Sequence, residues 1–261
     1  MTRHLALEGI DNFRDYGDYA GLGGRRLRRG LLYRSAAHAR ATDADLDAMA
    51  ALGLAVIVDL RRKGERLREP SRRPPGFTGA VFEKDSAIED DDSWRAHITN
   101  SDLSEASFVA YILDYYRQAP FDERHIDLFT RYFRALAETR GPVLIHCAAG
   151  KDRTGILAAL THHLAGVHRD DILADYLLTN NEARMVQRLP LVLENIQALA
   201  GRAPSEAYAR RVMGVEAVYL ETAFAGIADR FGGTDAYLET ALGVDAQLRT
   251  ALEKRLLEPI E

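Results

Sequence analysis

The sequence predicts an α/β fold in which helices flank a central, partly parallel sheet and a helical half completes the chain. Residues 54–58 and 143–145 form two short, continuously apolar runs that contain β-branched residues, which is typical of buried strands. Apolar residues at helical spacing precede both runs and follow the second one. Strands that alternate with helices in this way favour a partly parallel sheet.

The first strands and helix can be assigned from local signals. Residues 31–33 form a short apolar run that predicts a strand. Thr42, with Asp45 three residues later, predicts the beginning of a helix, and Gly53 predicts its end. The run 54–58 then follows as a buried strand. Strand, helix and strand within about 30 residues indicate a βαβ unit.

Residues 61–107 interrupt this alternation. Several prolines and the acidic run 89–92 lie here, so we predict mostly loop with some irregular helix. An aromatic stripe at helical spacing follows and predicts a helix, which either packs into the core or covers a site. The stripe consists of Phe108, Tyr111, Ile112 and Tyr115.

The clearest helix is predicted over residues 122–140. Gly141 and Pro142 end it, and the strand 143–145 follows. A further helix is expected to begin near Gly155. The apolar face of the 122–140 helix repeats every three or four residues at Ile126, Phe129, Phe133 and Leu136.

The C-terminal half predicts helices only. From Asp170 to the end the periodicity is helical, with breaks expected at Pro190, Pro204 and residues 232–233. The sequence shows no internal repeat and no low-complexity linker. We therefore expect a single domain over residues 1–261.

Composition and charge exclude several classes of protein. The net charge of −5 predicts no nucleic-acid partner. The single cysteine excludes an intrachain disulfide, and no apolar run reaches the roughly 18 residues expected of an integral membrane segment. The beginning of the sequence lacks the apolar core of a signal peptide. A cytoplasmic location is the default expectation, and export without a signal peptide stays open.

One segment carries the chemistry: HCAAGKDRTG, from His146 to Gly155, between a predicted strand and a predicted helix. Backbone N–H groups at a helix N-terminus favour an anion. Gly150 permits the backbone angles that curl amides around one centre. Arg153 can hold two phosphate oxygens with its planar fork. The same positive field favours the thiolate of Cys147, which is the nucleophilic form.

The other residues of this segment have supporting roles. We expect Thr154 to offer its hydroxyl to the sulfur of Cys147, and His146 to orient the loop through ring hydrogen bonds. Chance would produce the whole pattern on the order of once per million cysteines, so a buried inert cysteine explains it poorly. The expected phosphate-binding residues are Ala148, Ala149, Gly150, Lys151, Asp152 and Arg153.

The segment resembles the signature loop of cysteine-dependent protein tyrosine phosphatases. The pattern HCxxGKDRTG is similar to that of a bacterial and fungal branch of this family, whose members act on phosphotyrosine, phosphoserine or phosphothreonine, and phosphoinositides. In that branch, helices in a region such as 66–120 can act as a lid over the pocket. Weaker similarities extend the resemblance over about residues 10–257. They are Asn12–Asp15 with Gly17, Leu32–Ser35, Val58–Arg61 with Glu65, Asp175–Leu177, Tyr237–Leu238 and Leu242–Gly243.

The resemblance implies a phosphatase domain with a two-step mechanism. The thiolate of Cys147 attacks phosphorus while Arg153 and the loop amides hold the equatorial oxygens. Water then hydrolyses the cysteinyl-phosphate, so inorganic phosphate is the product ligand. The implied substrate is a phosphorylated protein or a phosphoinositide. No cofactor and no metal are expected, because Arg153 and the amides supply the positive charge.

The identity of the general acid stays open between two carboxylates. Asp152 lies inside the loop, and the resemblance favours a catalytic role for it. Asp85 is the alternative, since the broader superfamily places an acid on a separate loop. Lys151 either matches the extra cation of phosphoinositide-cleaving relatives or supports the phosphate loop.

The sequence supports other functions and other ligand sites less well. A phosphate-binding module without turnover is the main alternative, but such a module has no need of the thiol. Sulfur transfer or arsenate reduction could use similar loop geometry, but the lack of a second cysteine disfavours arsenate reduction through an internal disulfide. Residues 21–24 predict a hairpin turn rather than a dinucleotide site. His162, His163 and His168 share no helix face, so core or surface positions are favoured over metal ligation.

Overall fold

The structure is a computed structural model, and it describes residues 3–85 and 93–260. A five-stranded sheet has the order β1-β3-β6-β4-β5, and a small second sheet pairs β2 with β7. The strands are β1 (Arg14–Asp15), β2 (Arg25–Leu27), β3 (Leu32–Ser35), β4 (Val56–Asp59), β5 (Ala80–Phe82), β6 (Val143–His146) and β7 (Leu257–Pro259).

Twelve helices within the described ranges surround these strands. Those of the first half are α1 (Asp43–Ala51), α2 (Lys63–Arg68), α3 (Ser93–Asn100), α4 (Glu105–Gln118) and α5 (Glu123–Glu138). Those of the second half are α6 (Asp152–Leu164), α7 (Arg169–Leu177), α8 (Glu182–Ala200), α9 (Glu206–Met213), α10 (Ala217–Phe231), α11 (Thr234–Thr240) and α12 (Ala246–Leu256).

The central sheet is mostly parallel, as the sequence predicts. Strands β3, β6, β4 and β5 run parallel, and only β1 is antiparallel to its neighbour. The register pairs His146 with Ser35 on one side and with Asp59 on the other. The carboxyl ends of β3, β6 and β4 therefore lie side by side at one edge of the sheet, which is where α/β folds bind ligands.

Helix α1 begins at the capping box that Thr42 and Asp45 predict. Thr42 Oγ1 accepts the amide of Asp45 at 3.2 Å, and the Asp45 carboxylate accepts the amide of Thr42 at 2.9 Å. The same carboxylate accepts the amides of Glu8 and Gly9, both at 2.8 Å. Asp45 therefore caps the helix and holds the N-terminal segment against it.

The core lies between the sheet and the helices that cover it. Every residue of β3, β4 and β6 is buried, which explains why the runs at β4 and β6 are continuously apolar rather than alternating. Helix α5 buries one face against β4, as its periodicity predicts, through Leu128, Phe129, Tyr132 and Phe133. Residues 21–24 form the tight turn between bridged Ala20 and Arg26, also as predicted.

Residues 61–107 contain more regular structure than the sequence predicts. Helices α2 and α3 and strand β5 lie in this segment, while the acidic run 89–92 falls outside the described residues. No residue of α2 is buried, so the helix has no apolar stripe. It begins where the amide of Arg62 donates to Glu65 Oε2 at 2.7 Å, a contact that hydrophobic periodicity cannot detect.

Three boundaries in the second half also differ from the prediction. Helix α6 begins at Asp152 rather than near Gly155, so the end of the HCAAGKDRTG loop is its first turn. Pro190 lies inside α8 and does not end it, because contacts with α3 and α9 support the helix despite the missing N–H. Strand β7 is too short to show periodicity and forms only by pairing with β2.

Candidate active site

The HCAAGKDRTG loop joins β6 to α6 and borders a cavity of about 690 Å³. Cys147 follows β6 directly, and its side chain is buried. His146, Gly150, Thr154 and Gly155 are not among the lining residues, and their packing shapes the loop from behind. The predicted residues that line the cavity are Cys147, Ala148, Ala149, Lys151, Asp152 and Arg153.

Gly150 is required by both its conformation and its surroundings. Its φ of +67° is in the left-handed region, and a Cβ atom would lie 2.5 Å from the carbonyl of Ser35. Its carbonyl accepts hydrogen bonds from Asn12 Nδ2 and Arg34 Nη2, both at 3.0 Å. The curl of the loop is therefore fixed from the sheet side, as an amide cradle for an anion requires.

A buried ionic cluster holds this part of the loop in place. Arg14, Arg34 and Asp175 are all buried, and Arg34 Nη1 lies 2.9 Å from Asp175 Oδ2. Arg14 Nη2 donates to the backbone oxygen of Asp175 at 3.0 Å. Burial opposes ionisation of Asp175, but Arg14 and Arg34 outweigh it and lower the pKa of the carboxyl to about 2. The cluster thus ties β1, β3 and α7 together behind the loop.

Arg153 is fixed by a bidentate ion pair with Glu65 of α2. Its Nη1 and Nη2 donate to the two carboxylate oxygens at 2.5 and 2.7 Å, and Nη1 also donates to the backbone oxygen of Leu60 at 3.1 Å. These bonds leave Nε and one N–H of Nη2 without an acceptor among the described residues. Burial opposes the charge on Glu65, but Arg153 outweighs it and lowers the pKa of the carboxyl to about 2.

His146 differs from its predicted role. Neither ring nitrogen has a hydrogen-bond partner in residues 3–85 or 93–260. Instead the ring stacks on His38 with the centroids 4.1 Å apart, and Nε2 lies 3.5 Å from Asp59 Oδ2. Burial and the nearby Arg73 hold the pKa of His146 well below its usual value, so the ring is neutral. His146 supports the loop by packing rather than by ring hydrogen bonds.

Thr154 and Gly155 lie on the first turn of α6. Thr154 Oγ1 is buried and has no hydrogen-bond partner in the described part of the chain, so its hydroxyl is available to a thiolate at the loop. Gly155 lets α6 approach α7, because a Cβ atom there would lie 2.8 Å from the ring of Tyr176. The periodicity of α6 alone does not show this close contact.

Asp152 and Lys151 face the cavity with most of their polar groups engaged. Tyr116 donates to Asp152 Oδ1 at 2.9 Å, and Tyr116 and Tyr176 share a hydrogen bond of 2.6 Å. Lys151 Nζ lies 3.6 Å from Asp152 Oδ2 and donates to the backbone oxygen of Val212 at 2.6 Å. The tyrosine pair, which the sequence reasoning missed, therefore sets the position of Asp152.

Asp85 lies elsewhere in the structure. It follows β5, is half exposed, and forms ion pairs with Arg66 and with Lys63, the latter at 3.7 Å. It lines a separate shallow depression and is absent from the residues that border the cavity of Cys147. The structure thus brings Asp152, but not Asp85, together with the loop.

The cavity walls come from helices on either side of the loop. The aromatic stripe of α4 serves both predicted roles, because Phe108 and Ile112 are buried and also line the cavity. Helices within 66–120 thus border the pocket, as the resemblance implies. Helix α8 provides another wall that the sequence reasoning did not assign. The apolar wall residues are Trp94, Phe108, Tyr111, Ile112, Tyr115, Leu191, Val192 and Leu199.

His162 and His168 have structural positions, and the described residues show neither a metal-binding cluster nor a membrane-spanning helix. His162 is buried and its Nε2 is hydrogen-bonded to the backbone oxygen of Tyr16 at 2.7 Å, while His168 caps α7. Residues 3–85 and 93–260 contain no group of three or more His, Cys, Asp or Glu arranged to hold a metal ion. Over the same ranges, no helix combines the length and apolar character needed to cross a bilayer.

Comparisons with known proteins agree with this geometry. The model of the tyrosine phosphatase family matches residues 5–258. The chain is 37% identical over 252 residues to a Cupriavidus necator protein whose name assigns it to the tyrosine-protein phosphatases, covering 95% of this chain and 88% of that relative. It is 34% identical over 262 residues to the triple specificity protein phosphatase PtpB of Mycobacterium tuberculosis, covering 90% and 92%. The chain therefore belongs to the tyrosine phosphatase family and is a cysteine-dependent phosphatase of that type.

Proposed function

We propose that this phosphatase hydrolyses phosphotyrosine through a cysteinyl-phosphate on Cys147, and that phosphoserine, phosphothreonine and phosphoinositides are further substrates. The supporting observation is that Cys147 and Arg153 share one cavity in which Glu65 holds the guanidinium in place. We further propose that all of residues 1–261 form a single phosphatase domain.

In the first step the Cys147 thiolate attacks phosphorus, the bond to the leaving oxygen breaks, and the proposed acid Asp152 gives that oxygen its proton. The free N–H groups of Arg153 lie on one edge of the guanidinium and hold two phosphoryl oxygens, while the loop amides hold the remaining charge. In the second step water attacks phosphorus and gives a proton to the Asp152 carboxylate, the S–P bond breaks, Cys147 returns to the thiolate and inorganic phosphate leaves. The cradle needs no rearrangement between the steps, because Asn12 and Arg34 fix it from behind.

The charge around the cavity supports an anionic substrate. Although the whole chain carries −5, the lining contains nine Arg or Lys residues against four Asp or Glu residues. The relative named a triple specificity phosphatase supports the wider substrate range. The lining cations are Arg40, Arg61, Arg62, Arg68, Arg95, Lys151, Arg153, Arg184 and Arg188.

The cysteinyl-phosphate can be tested directly. The enzyme is mixed with p-nitrophenyl phosphate and quenched in acid within milliseconds, and the peptide that contains Cys147 is analysed by mass spectrometry. We expect a phosphorylated cysteine and a burst of p-nitrophenol equal to the enzyme concentration. Turnover without a phosphorylated cysteine would contradict the mechanism, and binding of phosphate without turnover would indicate a binding module.

The general acid is proposed to be Asp152, and two matched variants test this role. An acid matters most for a poor leaving group, and the tyrosine leaving group has a pKa of about 10. We expect Asp152→Asn to slow hydrolysis of a phosphotyrosine peptide by about a hundredfold, and an activated aryl phosphate far less. The fall of kcat towards basic pH, which follows the loss of the acid's proton, should also become less steep.

Asp85→Asn is the control for this comparison. Asp85 lies outside the cavity, so we expect near-normal rates on both substrates from that variant. The opposite pattern, in which Asp85→Asn slows only phosphotyrosine and Asp152→Asn slows both substrates equally, would make Asp85 the acid. Asp152 would then only shape the loop.

Glu65 is proposed to position Arg153, and Glu65→Gln tests this. The amide keeps the shape but loses the charge, so we expect kcat/KM to fall about tenfold, or 1.4 kcal/mol. Because the folded carboxyl has a pKa of about 2, below its unfolded value, its stabilising contribution is present above the unfolded pKa and is lost as the pH falls through about 2. The variant should therefore be less stable than wild type at pH 7, and this difference should disappear near pH 2. An unchanged kcat/KM would contradict the role.

A further inference from the structure

Tyr115 of α4 has a hydroxyl group without a partner at the edge of the active site. It lines the cavity together with Cys147, Asp152 and Arg153. Its hydroxyl oxygen is fully buried and has no hydrogen-bond partner anywhere in the described ranges. Buried phenols usually have a partner, so an unpartnered one in a substrate cavity points to a partner that arrives with the substrate.

The charges that act on Tyr115 come mainly from the catalytic loop. Burial raises the pKa of the phenol above its usual value; among the nearby charges, Arg153 and Arg124 of α5 lower it, whereas Asp152 and Cys147 raise it. The phenol therefore keeps its proton wherever the enzyme works, so it can donate a hydrogen bond but cannot act as a base.

The neighbouring tyrosine has a different environment. The hydroxyl of Tyr116 is already engaged with Asp152 at 2.9 Å and Tyr176 at 2.6 Å, so Tyr116 positions a loop residue. Its ring meets that of Tyr115 edge-on, with centroids 5.8 Å apart, which restricts the Tyr115 ring. Tyr115 is thus held in place while its hydroxyl group stays unused.

We propose that Tyr115 contacts the substrate and donates a hydrogen bond to the phosphoryl group that Arg153 holds. This inference rests on the proposed function. No proton is transferred and no bond to Tyr115 forms; the donor stabilises the charge on a phosphoryl oxygen as Cys147 attacks. Tyr115 would then be a catalytic residue that the signature loop does not contain.

The substitution Tyr115→Phe tests this role. We expect kcat/KM for p-nitrophenyl phosphate and for a phosphotyrosine peptide to fall at least about tenfold, with most of the loss in kcat. Inhibition by inorganic phosphate should weaken as well. The Tm should not fall, because the hydroxyl group has no partner to lose within the protein.

Tyr219→Phe is the matched control. The hydroxyl of Tyr219 is also buried and unpartnered in the described ranges, but Tyr219 does not line the cavity. We expect wild-type kinetics and phosphate inhibition from this variant.

Three outcomes would overturn the proposal. Wild-type kinetics and phosphate inhibition in Tyr115→Phe would show that its hydroxyl group makes no substrate contact. Equal losses in the two variants, or a fall in Tm that accompanies the loss in Tyr115→Phe, would show a structural role. If the wild-type chain hydrolyses neither substrate, the proposed function itself fails. That result is distinct from the results above, because they all require an active wild-type enzyme.

Discussion

Replacement of Cys147 by serine is expected to abolish turnover while the binding of oxyanions persists. A serine hydroxyl is not ionised at neutral pH, so the variant has lost the nucleophile. The cradle itself does not depend on the sulfur, because Gly150 is held by Asn12 and Arg34, and Arg153 by Glu65. We therefore expect less than about a hundredth of the wild-type kcat, together with retained affinity for inorganic phosphate.

Two measurements check this expectation. Steady-state hydrolysis of p-nitrophenyl phosphate gives the loss in kcat, and calorimetric titration with inorganic phosphate gives the affinity. Residual activity above about a hundredth of wild type would contradict covalent catalysis by Cys147. Loss of phosphate affinity with an unchanged Tm would show that the sulfur itself contributes to binding.

Replacement of Arg153 by lysine is expected to be almost as harmful, although the charge is retained. Lysine is a point charge, whereas Arg153 binds Glu65 with one edge of its guanidinium and leaves another edge for phosphate. A lysine ammonium group cannot bind the Glu65 carboxylate and two phosphoryl oxygens at the same time in these geometries. We expect kcat to fall by more than about a hundredfold.

The matched control for Arg153→Lys is Arg131→Lys. Arg131 is half-exposed, pairs with Asp127 at 3.3 Å and lies outside the cavity, so the same substitution there should leave kcat unchanged. A near-normal kcat in Arg153→Lys would mean that the backbone amides alone stabilise the transition state.

The sequence predicts best those features that are local or strongly periodic. The capping box at Thr42 and the continuous apolar runs of β4 and β6 depend on neighbouring residues, so they are visible without tertiary contacts. The sequence predicts some irregular helix within 61–107 but does not locate α2, because this helix has no buried face. The break predicted at Pro190 is wrong, because α3 and α9 support α8 from outside. Tertiary packing decides the case of Pro190, whereas α2 depends on the polar contacts of Glu65 with the Arg62 amide and with Arg153. Hydrophobic periodicity and local propensity encode neither.

The same distinction applies to the site. The HCAAGKDRTG segment is contiguous, so its residue types alone indicate an anion cradle with a nucleophile. Asn12, Arg34 and Glu65, which hold this segment, come from distant parts of the chain. The sequence shows them only within short stretches that each resemble the family weakly. Arg34 follows the apolar run 31–33 directly and lies in the wholly buried strand β3, so it is the signal that could have revealed them, because a buried guanidinium requires an acidic partner. Glu65 and Tyr116 offer no such signal.

The arrangement behind Gly150 also bears on how the chain acquires activity during synthesis. Asn12 and Gly150 are 138 positions apart, and Arg14 and Asp175 are 161 apart, so the complete set of contacts behind the loop can form only after α7 has left the ribosome. A nascent chain that already contains Cys147 but not yet Asp175 therefore lacks part of the support of its signature loop. Contacts of such long range form late and together in folding, which makes phosphatase activity a sensitive reporter of complete folding.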